Sequence, residues 1–303
     1  MFRGIHTTCQ FNTKIFYPDE KTSNLWCSDA LDGHGFDADK LSFHADGCAI
    51  TLDDLGSTYT IKSVVNEDCV VNFTITRGAP GFQVGRDGKT YFGTDPKKPW
   101  GSMRHAFWPR CNVTGSMITK SGEIDFKGRG FFVQALQGMK PHHAAAKWNF
   151  VNFQSPKYSA VLMEFTTPPS YGSTVVNVGG IISDSEIICA GASNSVEHTQ
   201  LKDDPDTDWA EPTAIKSLWR GTSTDGKAVS AELAGNLGKR TDRVDVMAKV
   251  PGVIKTIVGG VAGTKPYIYQ FVLRDQLGLK LQVGEDEEEV ERGTLLMEAT
   301  FIS

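Results

Sequence analysis

Polar and apolar positions in this chain alternate with a period of two over most of its length. Ile5, Thr7, Cys9, Phe11, Thr13 and Ile15 fall on one side of an extended run, and His6, Thr8, Gln10, Asn12 and Lys14 on the other. That spacing predicts a long half-buried strand. Residues 18–39 are polar and glycine-containing, which predicts a loop anchored by Trp26 and Phe36. Short strands are then expected at 41–45 and 48–53, joined by a hairpin turn at Asp46-Gly47, and at 57–65 and 69–76. Weaker candidates lie at 89–92 and 103–108. After the connector 95–99, strands restart at 112–120, 123–136, 148–154, 158–166 and 174–182. Pro168-Pro169 ends the fourth of these, because proline cannot join a central ladder. The acidic stretch 203–211 predicts an exposed loop, and 285–291 a solvated turn. Further strands are expected at 215–222, 227–233, 243–250, 267–273, 279–283 and 294–301, with a short helix at 251–258 opened by Pro251.

Closely spaced antiparallel strands with glycine turns indicate a sandwich or barrel. With 303 residues the chain has room for two domains. The boundary is placed near Trp108–Pro109, giving domains 1–108 and 109–303. In 123–136 the even positions Ile124, Phe126, Gly128, Gly130, Phe132 and Leu136 face a core, while Glu123, Asp125, Lys127 and Arg129 face away. Gly128 and Gly130 predict a bulge or a close approach of backbone or ligand.

Composition narrows the class. A hydrophobic share of 40% with 22% charged residues describes a globular chain, and the net charge of −5 gives no basic footprint for nucleic acid. No apolar run reaches the ~18 residues of a membrane span, and the opening residues lack the apolar region of a signal peptide. The sequons at Asn72 and Asn112 are read as chance. Six isolated cysteines form no CxxC pair, so a structural zinc site is not expected. Cys9, Cys48 and Cys69 share strand faces with apolar neighbours and read as small core thiols rather than redox sensors.

Candidate chemistry is sparse. His142 and His143 are adjacent, and His44 and His105 have no partner at ligand spacing, so no metal is expected. There is no nucleophile elbow, P-loop or dinucleotide fingerprint, and no cofactor or catalytic residue is assigned. Glu164 lies on the opposite strand face from Val161, Met163 and Phe165 and reads as a surface carboxylate, with a barrel-lumen position as the alternative. The informative feature is an aromatic and methionine cluster: Trp108, Phe132, Trp148, Phe150, Phe153, Met163, Phe165 and Tyr171, interleaved with Asn149, Asn152 and Gln154. It fits a barrel core with amide hydrogen bonds, and equally an apolar cavity with a few polar groups, the usual composition of a small-molecule site. An eight-stranded barrel can hold one ligand.

The segments HAFWPRC (His105–Cys111), IDFKGRGFF (Ile124–Phe132), ALQGMKPHHAAAKWNF (Ala135–Phe150), MEFTTPPSYG (Met163–Gly172) and VNVGGI (Val176–Ile181), followed by TKPYIYQF and the terminal ATFIS, resemble the fungal survival-factor family over essentially the whole chain. The resemblance implies an all-β fold of two tandem lipocalin-like antiparallel β-barrels. It also implies a ceramide-binding protein that carries ceramide between endoplasmic reticulum and Golgi and supports survival under oxidative stress. The implied location is the cytoplasm, with peripheral association to those membranes and the nucleus as a further compartment. On this reading the ligand-binding residues are Trp108, Phe132, Trp148, Asn149, Phe150, Asn152, Phe153, Met163, Phe165 and Tyr171. The rival is a lipocalin-like enzyme of hydratase or pericyclase type acting on a long apolar substrate, which needs an acid–base pair in the cavity. A ligand-free scaffold would instead have a filled barrel.

Family members carry a further segment ahead of the point matching Gly4–Thr8, including an amphipathic membrane-binding helix and early strands of the first barrel. The first barrel is therefore expected to be incomplete: about seven strand candidates fall within residues 1–108, and a small barrel needs about eight. An unpaired edge, poor solubility or edge-to-edge dimerisation, and weak liposome binding are the expectations that follow.

Overall fold

A computed structural model describes residues 9–19, 21–95, 97–139, 141–249 and 266–302. Its strands are β1 (Cys9–Ile15), β2 (Leu25–Leu31), β3 (Gly35–Phe36), β4 (Phe43–Ala45), β5 (Cys48–Leu52), β6 (Thr58–Ser63) and β7 (Cys69–Arg77). Two short strands, β8 (Phe82–Gln83) and β9 (Lys89–Phe92), precede the long β10 (Gly101–Thr119) and β11 (Gly122–Gln137). Next come β12 (Lys147–Gln154), β13 (Ser159–Thr166), β14 (Val175–Ile182), β15 (Ile187–Gly191), β16 (Ser195–Asp203), β17 (Ala210–Thr222) and β18 (Ala228–Asn236). The last are β19 (Asp242–Asp245), β20 (Tyr267–Val283) and β21 (Glu289–Phe301). Two single helical turns, α1 (Pro141–Ala144) and α2 (Val246–Lys249), are the described α-helices. The fold is all-β and antiparallel, as expected.

The chain divides into two compact units. The first holds the described residues of Met1–Gly78 and Cys111–Gly130, and the second those of Ala79–Arg110 and from Phe131 onward. The expected boundary, Trp108–Pro109, lies inside β10, which runs unbroken from Gly101 to Thr119. On the side of β10 away from β11, Pro109 falls between two pairings. Gly101–Arg104 pair with β9 and Ala106–Phe107 with β8, while pairing with β7 begins at Cys111. The missing N–H of Pro109 removes no bond from either.

In the first unit β1 and β2 form a two-stranded sheet, and a second sheet runs β11-β10-β7-β6-β5-β4-β3. Its core gathers Cys27, Cys69, Val71 and Met117, with Ile124 and Phe126 supplied by the even positions of β11. Phe73 meets Phe126 edge-on at 4.9 Å. A Cβ on Gly130 would strike the Val113 side chain, whereas at Gly128 it would meet open space. The expected close approach is therefore made at Gly130, by a side chain of this unit. Residues 18–39, expected as a loop, contain β2 and β3. Leu25, Cys27 and Leu31 alternate inward, but Asp29 shares their parity and hid the period; it accepts hydrogen bonds from the Asn66 amide at 3.0 Å.

In the second unit ten strands form one sheet, β15-β14-β13-β12-β21-β20-β18-β17-β16, with β19 added to β20. The sheet curls until its first strand lies against its penultimate one: a Cβ on Gly221 of β17 would touch Cys189 of β15 at 3.1 Å. The Trp219 indole crosses the interior to donate to the Val161 carbonyl at 2.9 Å. Val151, Phe153, Leu162, Tyr269, Phe271, Leu279 and Met297 fill this interior and are inaccessible to solvent. The strand expected at 243–250 is β19 followed by α2, because Asp245 Oδ1 accepts the Ala248 N–H at 2.9 Å and starts a helical turn. The two strands expected at 267–283 are one, β20, with a register shift between Arg274 and Leu277. The helix expected at 251–258 lies outside the described residues.

Candidate functional site

Strands β12, β13 and β21 set one wall of a cavity by register alone. Trp148 stands opposite Phe165 and Phe150 opposite Met163 on β13. On the other flank, Asn152 stands opposite Leu296 and Phe150 opposite Glu298 of β21. Period two puts all of these on the face away from the filled interior. The facing wall comes from Met103 and His105 of β10 and from Phe131, Val133 and Gln137 of β11. Together they line a partly open cavity of about 500 Å³, within the range of small-molecule sites. Arg110, almost wholly buried, ties β10 to the turn between β12 and β13: it donates to the Ser155 carbonyl at 3.1 Å and to Ser159 Oγ at 3.2 Å, and pairs with Asp184.

The cavity is apolar with a few polar groups. His105 is 8% exposed and stacks between Phe107 and Phe165, each ring 5.8 Å away. Burial lowers its pKa to about 4, so the ring is neutral at pH 7. Gln137 donates to the Met139 carbonyl at 2.8 Å, Asn152 Oδ1 accepts from Gln154 at 2.7 Å, and Glu298 accepts from Gln270. No lysine or arginine lines the cavity among the described residues.

Of the ten residues expected to bind ligand, the structure brings six to this cavity: Trp148, Asn149, Phe150, Asn152, Met163 and Phe165. Asn149 borders it with its backbone parity reversed. Its amide donates to Glu164 Oε1 at 3.4 Å and its oxygen lies 2.8 Å from His198 Nε2. Glu164 is buried rather than on the surface, accepts the Val196 N–H at 3.0 Å, and has its pKa raised by burial. Phe153 points the other way, into the filled interior. Trp108 and Phe132 pack on each other at 5.4 Å, one residue out of step with Phe107, buried in the adjoining core, and with the cavity-lining Phe131. Tyr171 sits in a 3-10 turn, Pro169–Tyr171, and packs at a tilt on Trp100 at 4.5 Å and on His143 at 5.6 Å. Sequence reasoning missed Met103, His105, Phe131, Val133, Gln137, Leu296 and Glu298. A parity switch was the available signal: even positions of β11 face a core up to Phe126, and odd ones do from Phe131.

His143 falls in α1, and no group of three or more metal-ligating side chains occurs among the described residues. All six cysteines are free. Cys27 and Cys69 share one core cluster, and burial pushes the Cys27 thiol up to about 11.

A curled antiparallel sheet with a filled interior and an apolar cavity on its outer face defines a lipocalin-like protein with room for a small apolar molecule. The chain belongs to the Svf1 family, whose model matches residues 1–303. It is 60% identical to the ceramide-binding protein svf1 of Emericella nidulans over 301 residues, covering 99% of this chain and 79% of that one. The ceramide-binding protein svf-1 of Neurospora crassa gives the same identity and coverage. Among solved structures, that of CghA superposes with a TM-score of 0.62 at 11% identity, covering 93% of this chain and 77% of the other. That likeness concerns the fold alone.

Proposed function

We propose that this protein binds ceramide in the cavity between β10–β11 and β12–β13–β21 and carries it between membranes without changing it. The observation that carries the reading is the cavity itself: about 500 Å³, walled by Met103, Phe131, Trp148, Phe150, Met163 and Phe165, with no cation in its lining among the described residues. The name of the relatives, ceramide-binding protein, supports the same ligand. Each methylene taken out of water is worth about 0.8 kcal/mol, so a sixteen-carbon chain gains roughly 10 kcal/mol from enclosure. A carrier function follows from that cost, because free ceramide does not cross water at a useful rate. Transfer between endoplasmic reticulum and Golgi, peripheral contact with those membranes, a cytoplasmic location and a part in survival of oxidative stress belong to the same reading. Carriage without chemistry is supported by the lining, where the buried His105 ring has no acid or base within hydrogen-bonding reach among the described residues.

Met163→Trp tests it. Indole at the middle of the cavity wall should abolish ceramide extraction from liposomes while thermal melting stays cooperative. Mass spectrometry of the lipid released by the unaltered protein should return ceramide of unchanged mass. Undiminished extraction by the variant would remove the cavity from the mechanism, and a product of altered mass would turn the protein into an enzyme.

A further inference from the structure

We propose that His105 is the polar anchor of this cavity, hydrogen-bonding the amide or hydroxyl of an uncharged lipid headgroup, and that it makes the site selective for neutral amide lipids over long-chain anions. The inference rests on the cavity being the lipid site.

Geometry fixes the ring before any ligand arrives. His105 is 8% exposed and lies nearly parallel to both flanking phenyl rings, with interplanar angles of 13° to Phe107 and 22° to Phe165. It cannot swing out to water without unstacking both. No described residue hydrogen-bonds either ring nitrogen, and neither nitrogen is among the fully buried side-chain atoms left without a partner, so they open onto the cavity rather than into packed protein. The side from which a partner can come is the cavity that the ring lines. Of the other polar side chains there, Gln137 is engaged with the Met139 carbonyl, Asn152 with Gln154, Asn149 with Glu164 and Glu298 with Gln270, which leaves the imidazole and the Trp148 indole N–H, a donor alone, open to a ligand among the described residues.

The chemistry of the missing partner follows from the ring and its surroundings. A neutral imidazole offers one donor and one acceptor. A secondary amide or a hydroxyl can satisfy either nitrogen, and a ceramide headgroup presents both groups. A carboxylate or phosphate could take only the donor. It would lose its hydration with no lysine or arginine in the lining among the described residues to replace it, and it would share the cavity with the Glu298 carboxylate.

The experiment titrates the whole chain with palmitoyl ceramide, ceramide phosphate, palmitate and hexadecane, using the unaltered protein, His105→Phe, His105→Gln and Met163→Trp. Phe keeps the stack and removes both nitrogens; Gln keeps a donor and an acceptor. Ceramide affinity should fall about tenfold in His105→Phe and recover in His105→Gln, while hexadecane binding is unmoved. The unaltered protein should prefer ceramide to palmitate and to ceramide phosphate by at least that factor. Equal ceramide affinity in His105→Phe would overturn the anchor, and equal affinity for the anions would overturn the selectivity. If Met163→Trp binds ceramide as the unaltered protein does, the cavity reading itself has failed. Should His105→Phe not fold, the ring nitrogen resonances of His105 in the unaltered protein decide instead. They should shift with ceramide and stay in place with hexadecane; no shift with ceramide overturns the proposal.

Discussion

The two faces of β12 and β13 are built from the same eight-residue strands and come out differently. On one face Val151, Phe153 and Leu162 are inaccessible and interlock with Trp219, Phe271 and Met297. On the other, Trp148, Phe150 and Met163 are only half-buried and look across a void at β10 and β11. Hydrophobicity does not separate the two. The separation comes from what faces each side: the inner face meets strands of its own curled sheet, drawn to van der Waals contact by the curl, while the outer face meets β10 and β11, which carry a rigid aromatic and a histidine where a fitted core would carry leucines. A filled core and a binding cavity are thus alternatives set by the opposite wall.

Paired truncations give the largest expected effect. Phe153→Ala should cost about 3–5 kcal/mol, as the loss of a fully packed phenyl ring does, and Phe150→Ala roughly 1 kcal/mol, both read from urea unfolding. Similar costs at the two sites would erase the distinction between the faces.

Acid should act on both sides through buried histidines. His105 faces the cavity, with Glu298 as the ionisable neighbour in the lining. His198 lies against Asn149, with Lys147 nearby, and burial lowers its pKa to about 4 as well. The unfolded chain takes these protons near pH 6.5 and the folded chain only near 4. Stability is therefore independent of these groups above about 6.5 and falls as pH drops through that window, by roughly 2 kcal/mol each on reaching pH 5. Glu164, with its raised pKa, works in the opposite sense. Melting curves from pH 7 to 5 should flatten in a His105→Phe, His198→Phe double variant. An unchanged slope would place both rings in contact with water.

The smallest effect concerns the thiols. Burial pushes Cys189 of the inner face and Cys27 of the first unit up to about 11, which keeps them protonated and slow to oxidise. Mass mapping after mild peroxide should show no dominant disulfide. The Cys27–Cys69 pair is where one would form, and a stoichiometric bridge there would mean that this core opens under native conditions.

Strand positions were largely legible because alternation is a local property. The runs at 148–154 and 174–182 sit within a residue of β12 and β14. What escaped was set by partners distant in sequence. Edge strand β16 carries Glu197, Lys202 and Asp203, so no period marks it. The boundary placed near Trp108–Pro109 falls where β10 hands its pairing over from β8 to β7, an event that no local pattern marks. The site was half legible for the same reason. An aromatic inventory finds Trp148, Phe150, Met163 and Phe165, but it cannot tell that Phe153 turns inward or that Phe131, not Phe132, joins them. His105 looked like a lone histidine because its meaning depends on Phe165, far along the chain on β13.

The pairing of β12 with β21 has a consequence for the order of events during synthesis. Leu296 and Glu298 complete the cavity, yet they reach β12 across a separation on the order of 150 residues. A ribosome-bound chain that has already made Trp148 and Met163 still lacks that flank, and its apolar half-cavity faces water until β21 arrives. Ligand binding in this cavity must accordingly wait until β21 has been made and has paired with β12. The interval before β21 pairs is when this chain would depend most on chaperones.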